Sequence, residues 1–409
     1  MLDDAAKMRL RVVVGLAFRP GAPIDRLDLF AGRMSQIRDV VDAISQPGQH
    51  VVVFGERGVG KTSLAKVLSE IVSNAGQHFL NSGTINCDGT DNFSTLWRKT
   101  FRELMVEVRV KKAGFDNESK QTLILSDLLP EKTRVTPDDV RYALSGFQKP
   151  VIIILDEIDR ISNRQVTVQL ADTIKNLSDH AVNATLILVG VADAVDGLIK
   201  EHKSIERALV QVPMPRMSRG ELLQIVDKGL ASAQMTIDEH AKDRVARLSQ
   251  GLPHYTHLLA LHAAHSAVDD GRTNIDMSDI NRATNTAVEK SHSILSDYHK
   301  ATSSPQKQNL YQQVLLACAL AVTDDLGYFS AAAVARPFSA IMGKQYYVPS
   351  FARHLTDFCS PDRGPVLKKR GVPRRFRFRF INPLMQPFII LHGLSKGLLS
   401  DELLWIATR

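Results

Sequence analysis

The sequence is poor in cysteine, poor in aromatic residues and free of long apolar runs. Its 409 residues include three cysteines, Cys87, Cys318 and Cys359, far apart and without metal-ligand spacing. That excludes a disulfide framework and a zinc site and points to reduced, buried thiols. No apolar stretch approaches the roughly 20 residues that span a bilayer, so no membrane association is expected. The opening MLDDAAKMRLRVVVGLAF sets two aspartates ahead of its basic residues and has no small-residue cleavage site, which makes a poor signal peptide. A cytoplasmic protein is expected. Internal repeats and low-complexity tracts are also lacking. The length implies two or three domains.

The formal charge is +7 and unevenly spread. Residues 301–409 hold 14 Lys/Arg against 6 Asp/Glu, so the first 300 residues carry a net −1. Eight of those cations lie between Arg363 and Arg379. A basic block says more about a partner than a high overall pI does.

Residues 1–50 read as a loop-like lead-in with a short helix over 34–44. Strand and helix patterns then alternate. Strands are expected at 51–54, 79–86, 151–155, 185–189 and 209–212, and helices at 60–74, 93–108 and 164–178. The segment 109–149 has no clear period. Alternation of this kind implies a parallel sheet covered by helices. Pro213 and Pro215 mark a boundary, after which helices start near Ser218, Asp238, Leu252 and Ser278, with Ser218 and Glu221 forming a capping box. The expected domains are an α/β core over 1–215, a helical lid over 216–290, a polar linker over 291–307, a winged helix over 308–392 and a tail over 393–409.

The chemistry concentrates at two places. Residues 55–62 read GERGVGKT, which fits G-x-x-x-x-G-K-[ST], between an aliphatic strand and an amphipathic helix. Gly55, Gly58 and Gly60 let the backbone curl, so that the N–H groups of Glu56, Arg57, Gly58, Val59, Gly60, Lys61, Thr62 and Ser63 can face phosphate oxygens at a helix N-terminus. Lys61 is expected to reach the terminal phosphates of ATP, and Thr62 to ligate Mg²⁺. The second place is VIIILDE, residues 151–157. A buried strand carries Asp156 to the carboxyl edge of the sheet to hold Mg²⁺, and Glu157 follows as the base that polarises water.

GERGVGKTSLA, VIIILDEIDR, the all-helical lid and the basic hairpin together resemble an AAA+ P-loop ATPase of the origin-recognition-complex-like and STAND branches. The resemblance implies an AAA+ core with helical lid and C-terminal winged helix, ATP with Mg²⁺, and a homo-oligomer. It implies further site residues. LFAGR (29–33) would place Gly32 and Arg33 near the adenine, or is an ordinary turn before a helix. Arg207, in SIER, would act as an arginine finger on a neighbouring subunit's nucleotide, or is a solvated surface arginine. Pro253 and His254, in GLPHY, would bring the lid to the nucleotide, or His254 is an ordinary helix-face residue. The polar sensor that such proteins carry after the 185–189 strand is missing; Gly190–Val191–Ala192–Asp193 stand there, and Asp193 either substitutes or caps a helix.

In the C-terminal segment, PVLKKRG and RRFRFRF read as a hairpin. Phe376, Phe378 and Phe380 alternate with Arg375, Arg377 and Arg379, one face to the core and one to solvent. Lys368, Lys369, Arg370, Arg374 and Arg375 at or near the tip are candidates for DNA-backbone contact; Arg353 and His354 on the preceding helix are the only plausible base readers, so weak sequence specificity is expected. The competing reading is a charged outer face that prevents edge pairing, or a surface for a protein partner. Two functions follow: an ATP-gated DNA-binding switch (initiator, loader or transposition regulator), or a signalling or antiphage-defence ATPase acting on a separate effector protein.

Overall fold

The computed structural model describes residues 2–74, 80–111, 118–128, 134–147, 149–191, 203–305, 309–372 and 375–407. The chain divides into two units. The first comprises residues 23–55 and 61–214, the second residues 1–22, 56–60 and 215–409.

The first unit is built on strands β1 (His50–Gly55), β2 (Leu80–Asn86), β5 (Val151–Asp156), β6 (Ala184–Gly190) and β7 (Leu209–Met214); β3 (Met105–Lys111) and β4 (Glu118–Ile124) form a separate antiparallel hairpin. The five sheet strands run parallel in the order β2-β5-β6-β1-β7. In β5 the aliphatic run Val151–Leu155 is buried throughout, as a central strand covered on both faces must be. Each such side chain contributes on the order of 1.5–3 kcal/mol of burial. The helix Phe93–Glu103 supplies Leu96, Trp97 and Phe101 to this core. It ends five residues before the expected position, because Met-Val-Glu-Val-Arg-Val-Lys (105–111) switches to a period of two with valine at alternate places. The 109–149 region without a clear reading thus contains part of a hairpin, a 3₁₀ turn and the helix Pro137–Ser145.

The second unit holds the lid helices Arg219–Ser232, Glu239–Ser249, Pro253–Asp269 and Met277–Glu289, with the short strands β8 (Thr236–Ile237) and β9 (Asn274–Ile275). The Ser218–Glu221 capping box forms in both directions. Further on come the helix Tyr311–Ala319, β10 (Phe329–Ser330), the helices Ala331–Met342 and Ala352–Asp357, and the hairpin β11 (Leu367–Arg370) and β12 (Arg377–Phe380). The three strands pair in the order β10-β12-β11. This helix–strand–helix–helix–hairpin order is consistent with a winged helix.

Three expectations differ from the structure. The lead-in contains a helix, Asp4–Ala17, capped by Asp3, and it packs in the second unit with the lid rather than in the sheet unit. The 291–307 linker is largely the helix His292–Thr302. Its polar text hides an apolar face: Tyr298 is buried, with its ring 4.6 Å from that of His392, and Ala301 is fully covered. The 393–409 tail carries the helix Asp401–Ala407, held by buried Leu404 and by Arg244 at 2.6 Å from Asp401.

Candidate nucleotide site

β1 delivers the chain to Gly55, the loop curls over residues 56–60, and the helix Lys61–Asn74 begins at once. Gly58 and Gly60 have φ of +87° and +96°, the left-handed region in which a side chain would be strained. Val59 is fully buried, whereas Arg57 is exposed. Lys61 Nζ lies back on the loop, donating to the Gly55 carbonyl at 3.2 Å. The Ser63 hydroxyl oxygen accepts from the Ile24 amide at 3.1 Å, so its oxygen anchors the lead-in to this helix.

β5 ends at Asp156, which is 2% exposed. Its Oδ1 accepts from the Glu157 amide at 2.8 Å, while Oδ2 is buried without a well-formed hydrogen bond. Burial raises the Asp156 pKa; the Thr62 hydroxyl, on the same carboxylate, pulls in the other direction. A buried carboxylate oxygen without a well-formed hydrogen bond, beside a hydroxyl, offers with it a pair of oxygen ligands suited to a hard divalent cation. Thr62 and Asp156 are therefore brought together as their sequence positions implied.

Glu157 adopts a left-handed backbone, φ +58° and ψ +38°, uncommon for a non-glycine residue and frequent at functional sites. Its Oε2 accepts from Arg160 Nη1 at 3.0 Å. β6 lies between β1 and β5, with Gly190 beside Phe54. At this strand end a side chain on Gly190 would stand 2.7 Å from Ile158, and the Val191 amide donates to Asp159 Oδ1 at 3.1 Å. The end of β6 thus abuts the chain that follows the acidic pair. Asp193 lies outside the described residues.

Among the other expected residues, Arg33 is buried in a left-handed conformation at the start of the helix Met34–Ile44. Arg207 is 85% exposed and stands 3.4 Å from Asp179. In the second unit Pro253 lies near Gly60, 3.8 Å from where a Cβ would be. The His254 Nδ1 is 2.8 Å from the Pro20 carbonyl, and burial lowers the His254 pKa. His254 is thus engaged by the N-terminal segment.

Glu56 holds the residue that sequence reasoning missed. Its side chain is 2% exposed and meets Arg216, with Nε to Oε2 at 2.6 Å and Nη2 to Oε1 at 3.4 Å. Arg216 Nη1 also donates to the Gln250 carbonyl and to Gln386 Oε1. An isolated arginine between Pro215 and Met217 matches no motif. The available signal was the acid itself, since a glutamate inside a tightly curled loop needs a cation if it is buried.

At the hairpin, Phe378 and Phe380 are buried and Arg375 and Arg377 exposed, as the alternation required. The strand arginines are engaged locally: Arg377 pairs with Asp324 at 2.9 Å, and Arg379 donates to the Leu326 carbonyl and lies over the Tyr328 ring. Lys369 and Arg370 are exposed, Lys369 with its ammonium 5.1 Å from the Phe376 ring centre. Arg353 is 90% exposed. Arg374 lies outside the described residues. No described helix is long and apolar enough to cross a membrane.

Residues 29–189 match the AAA ATPase domain. Among solved structures, the ORC2 protein of Aeropyrum pernix is similar at 14% identity and a TM-score of 0.51, over 95% of this chain and 97% of that one. A Walker-type ATPase of Pyrococcus abyssi is similar at 15% identity and a TM-score of 0.51, over 91% of this chain and 99% of that one. At such identities the likeness shows a shared fold. No curated protein matches in sequence.

Proposed function

We propose, for a chain that carries an AAA ATPase domain, that it is an ATP-binding and ATP-hydrolysing switch whose basic hairpin binds DNA. The observation that supports the nucleotide site most strongly is Asp156 Oδ2, buried and without a well-formed hydrogen bond beside Thr62. A charge confined in this way is costly unless a cation meets it. Mg²⁺, when bound, supplies neutralising charge to the phosphates, and Asp156 and Thr62 are the residues that would hold it. The A. pernix protein of the same fold was solved in ADPNP–ADP complexes.

The chain's own residues then have distinct tasks. The loop amides cradle phosphate, and the Lys61 ammonium leaves the Gly55 carbonyl for the terminal phosphates. Glu157 orients the attacking water and accepts its proton. Pro253 brings the lid to the loop. Arg33 lies toward the adenine, and Arg207 from a neighbouring copy stabilises charge in the transition state. Its exposure leaves it accessible to such a neighbour. Lys368, Lys369, Arg370, Arg374 and Arg375 contact the DNA backbone and Arg353 reaches base edges, so binding is salt-dependent and weakly specific.

The test is a mobility shift and a turnover assay with duplex DNA at low and moderate salt. Replacing Lys369 and Arg370 by alanine should weaken DNA binding uniformly across sequences and flatten its salt dependence by about two phosphate contacts. If duplex DNA neither binds nor alters turnover, the DNA half of this reading fails while the nucleotide half stands.

A further inference from the structure

Glu56 is enclosed from two sides. On one side is Arg216, which also reaches Gln386 at 2.6 Å, and Gln386 in turn donates from Nε2 to the Ala319 carbonyl at 2.8 Å. On the other side is the turn 324–328. Gly327 has φ +76°, and a Cβ there would fall 1.7 Å from Glu56 Oε1, so the turn lies flush against the carboxylate. That turn is tightly specified. The Asp324 Oδ1 accepts from the amides of Leu326 and Tyr328, and Asp324 Oδ2 pairs with Arg377 on β12. Arg379, also on β12, donates to the Leu326 carbonyl at 3.3 Å. Leu384, just before the helix that carries Gln386, would stand 3.2 Å from a Cβ on Gly58. A continuous set of contacts thus runs from the phosphate loop to the hairpin strand.

We propose that Arg216 is a positioning residue for the phosphate loop: it fixes Glu56 against the 324–328 turn, and so makes nucleotide affinity depend on the hairpin. The inference rests on the nucleotide reading of the loop. Two features of the pair support it. The Glu56 carboxylate, held by Arg216 and packed against Gly327, tethers the loop backbone from which it projects. A planar guanidinium that shares its donors between Glu56, Gln250 and Gln386 holds one orientation, which a lysine cannot reproduce. By reciprocity, whatever displaces the hairpin changes nucleotide affinity, and bound nucleotide changes the hairpin by the same factor. Arg377 and Arg379 then act inward, on the turn, while the tip cations remain for a partner.

The experiment measures the affinity of the full chain for a fluorescent ADP with Mg²⁺, and ATP turnover at saturation. Arg216→Met and Gly327→Ala should each weaken binding at least tenfold, with turnover at saturation changed less than threefold. Glu56→Gln combined with Arg216→Met should lose about as much affinity as Arg216→Met alone, because the two residues act as one unit. Arg216→Lys should not restore wild-type affinity. Arg377→Met, remote from the loop, should weaken binding at least threefold, whereas Lys396→Ala should not. If Arg216→Met fails to fold, Arg377→Met and Gly327→Ala decide. Wild-type binding with these variants within twofold of it overturns this inference alone. Absence of nucleotide binding by the wild-type chain overturns the site reading and this inference with it.

Discussion

Arg160 Nη1 stands 3.0 Å from Glu157 Oε2, an i,i+3 pair in which the left-handed Glu157 is met by the 3₁₀ turn that follows it. Both side chains are about half exposed, so solvent screens the pair and it does not lock the carboxylate. Its role is to aim Glu157 when no substrate is present. Glu157→Gln should lower turnover by on the order of 100-fold or more while leaving nucleotide affinity within threefold. Arg160→Met should change turnover by no more than about threefold. Single-turnover hydrolysis with a parallel binding titration checks both. Full activity of Glu157→Gln would remove Glu157 from the base role.

The lid has its own electrostatic anchor. Asp279 is fully buried and accepts from Arg272, Arg282, Ser266 Oγ and the Asp276 amide, at 2.7–3.0 Å. Burial alone would raise its pKa, but these donors, Arg272 first among them, hold it at about 2. A carboxyl with a depressed folded-state pKa contributes stability above its unfolded value near 4, lost as pH falls toward 2. Asp279→Asn should therefore cost about 2 kcal/mol at neutral pH, the arginines being partly exposed. The gap in Tm between wild type and variant should shrink as pH falls from about 4 to about 2. A gap independent of pH in that window would contradict the assignment.

Arg207 supports little of its own unit, its side chain being 85% exposed and 3.4 Å from Asp179. Arg207→Ala should leave stability unchanged, within about 0.5 kcal/mol. If it acts on a neighbour's nucleotide, mixing Lys61→Ala chains with Arg207→Ala chains should recover turnover that neither has alone. No recovery across a range of mixing ratios would exclude action in trans.

Much of this was legible in the sequence because the decisive signals are local. The phosphate loop is a contiguous string whose glycines, lysine and threonine each have a backbone or charge reason to be there. The buried strand before Asp156 announces itself by five aliphatic residues in a row. Phe378 and Phe380 inward with Arg377 outward follow from a period of two. What was illegible depends on distance along the chain. Arg216 meets Glu56 across 160 positions, and no local pattern marks either as a partner. Tyr298 lies in a segment whose polar composition outweighed its helical spacing, so a helix was read as a linker. The hairpin at 105–124 was obscured because the helix before it carries apolar residues nearly to its junction with β3. The inward tie of Arg377 to Asp324 was also invisible: alternation places a side chain on a face but not the partner it meets there.

Calorimetric titration of Mg·ATP into the full chain, beside Lys61→Ala and Asp156→Asn, tests the nucleotide site most directly. Wild type should bind with a measurable heat that weakens when EDTA removes the metal; Lys61→Ala should lose at least tenfold in affinity; Asp156→Asn should bind weakly and indifferently to EDTA. No heat from the wild-type chain, or a Lys61→Ala titration superimposable on it, would contradict the account.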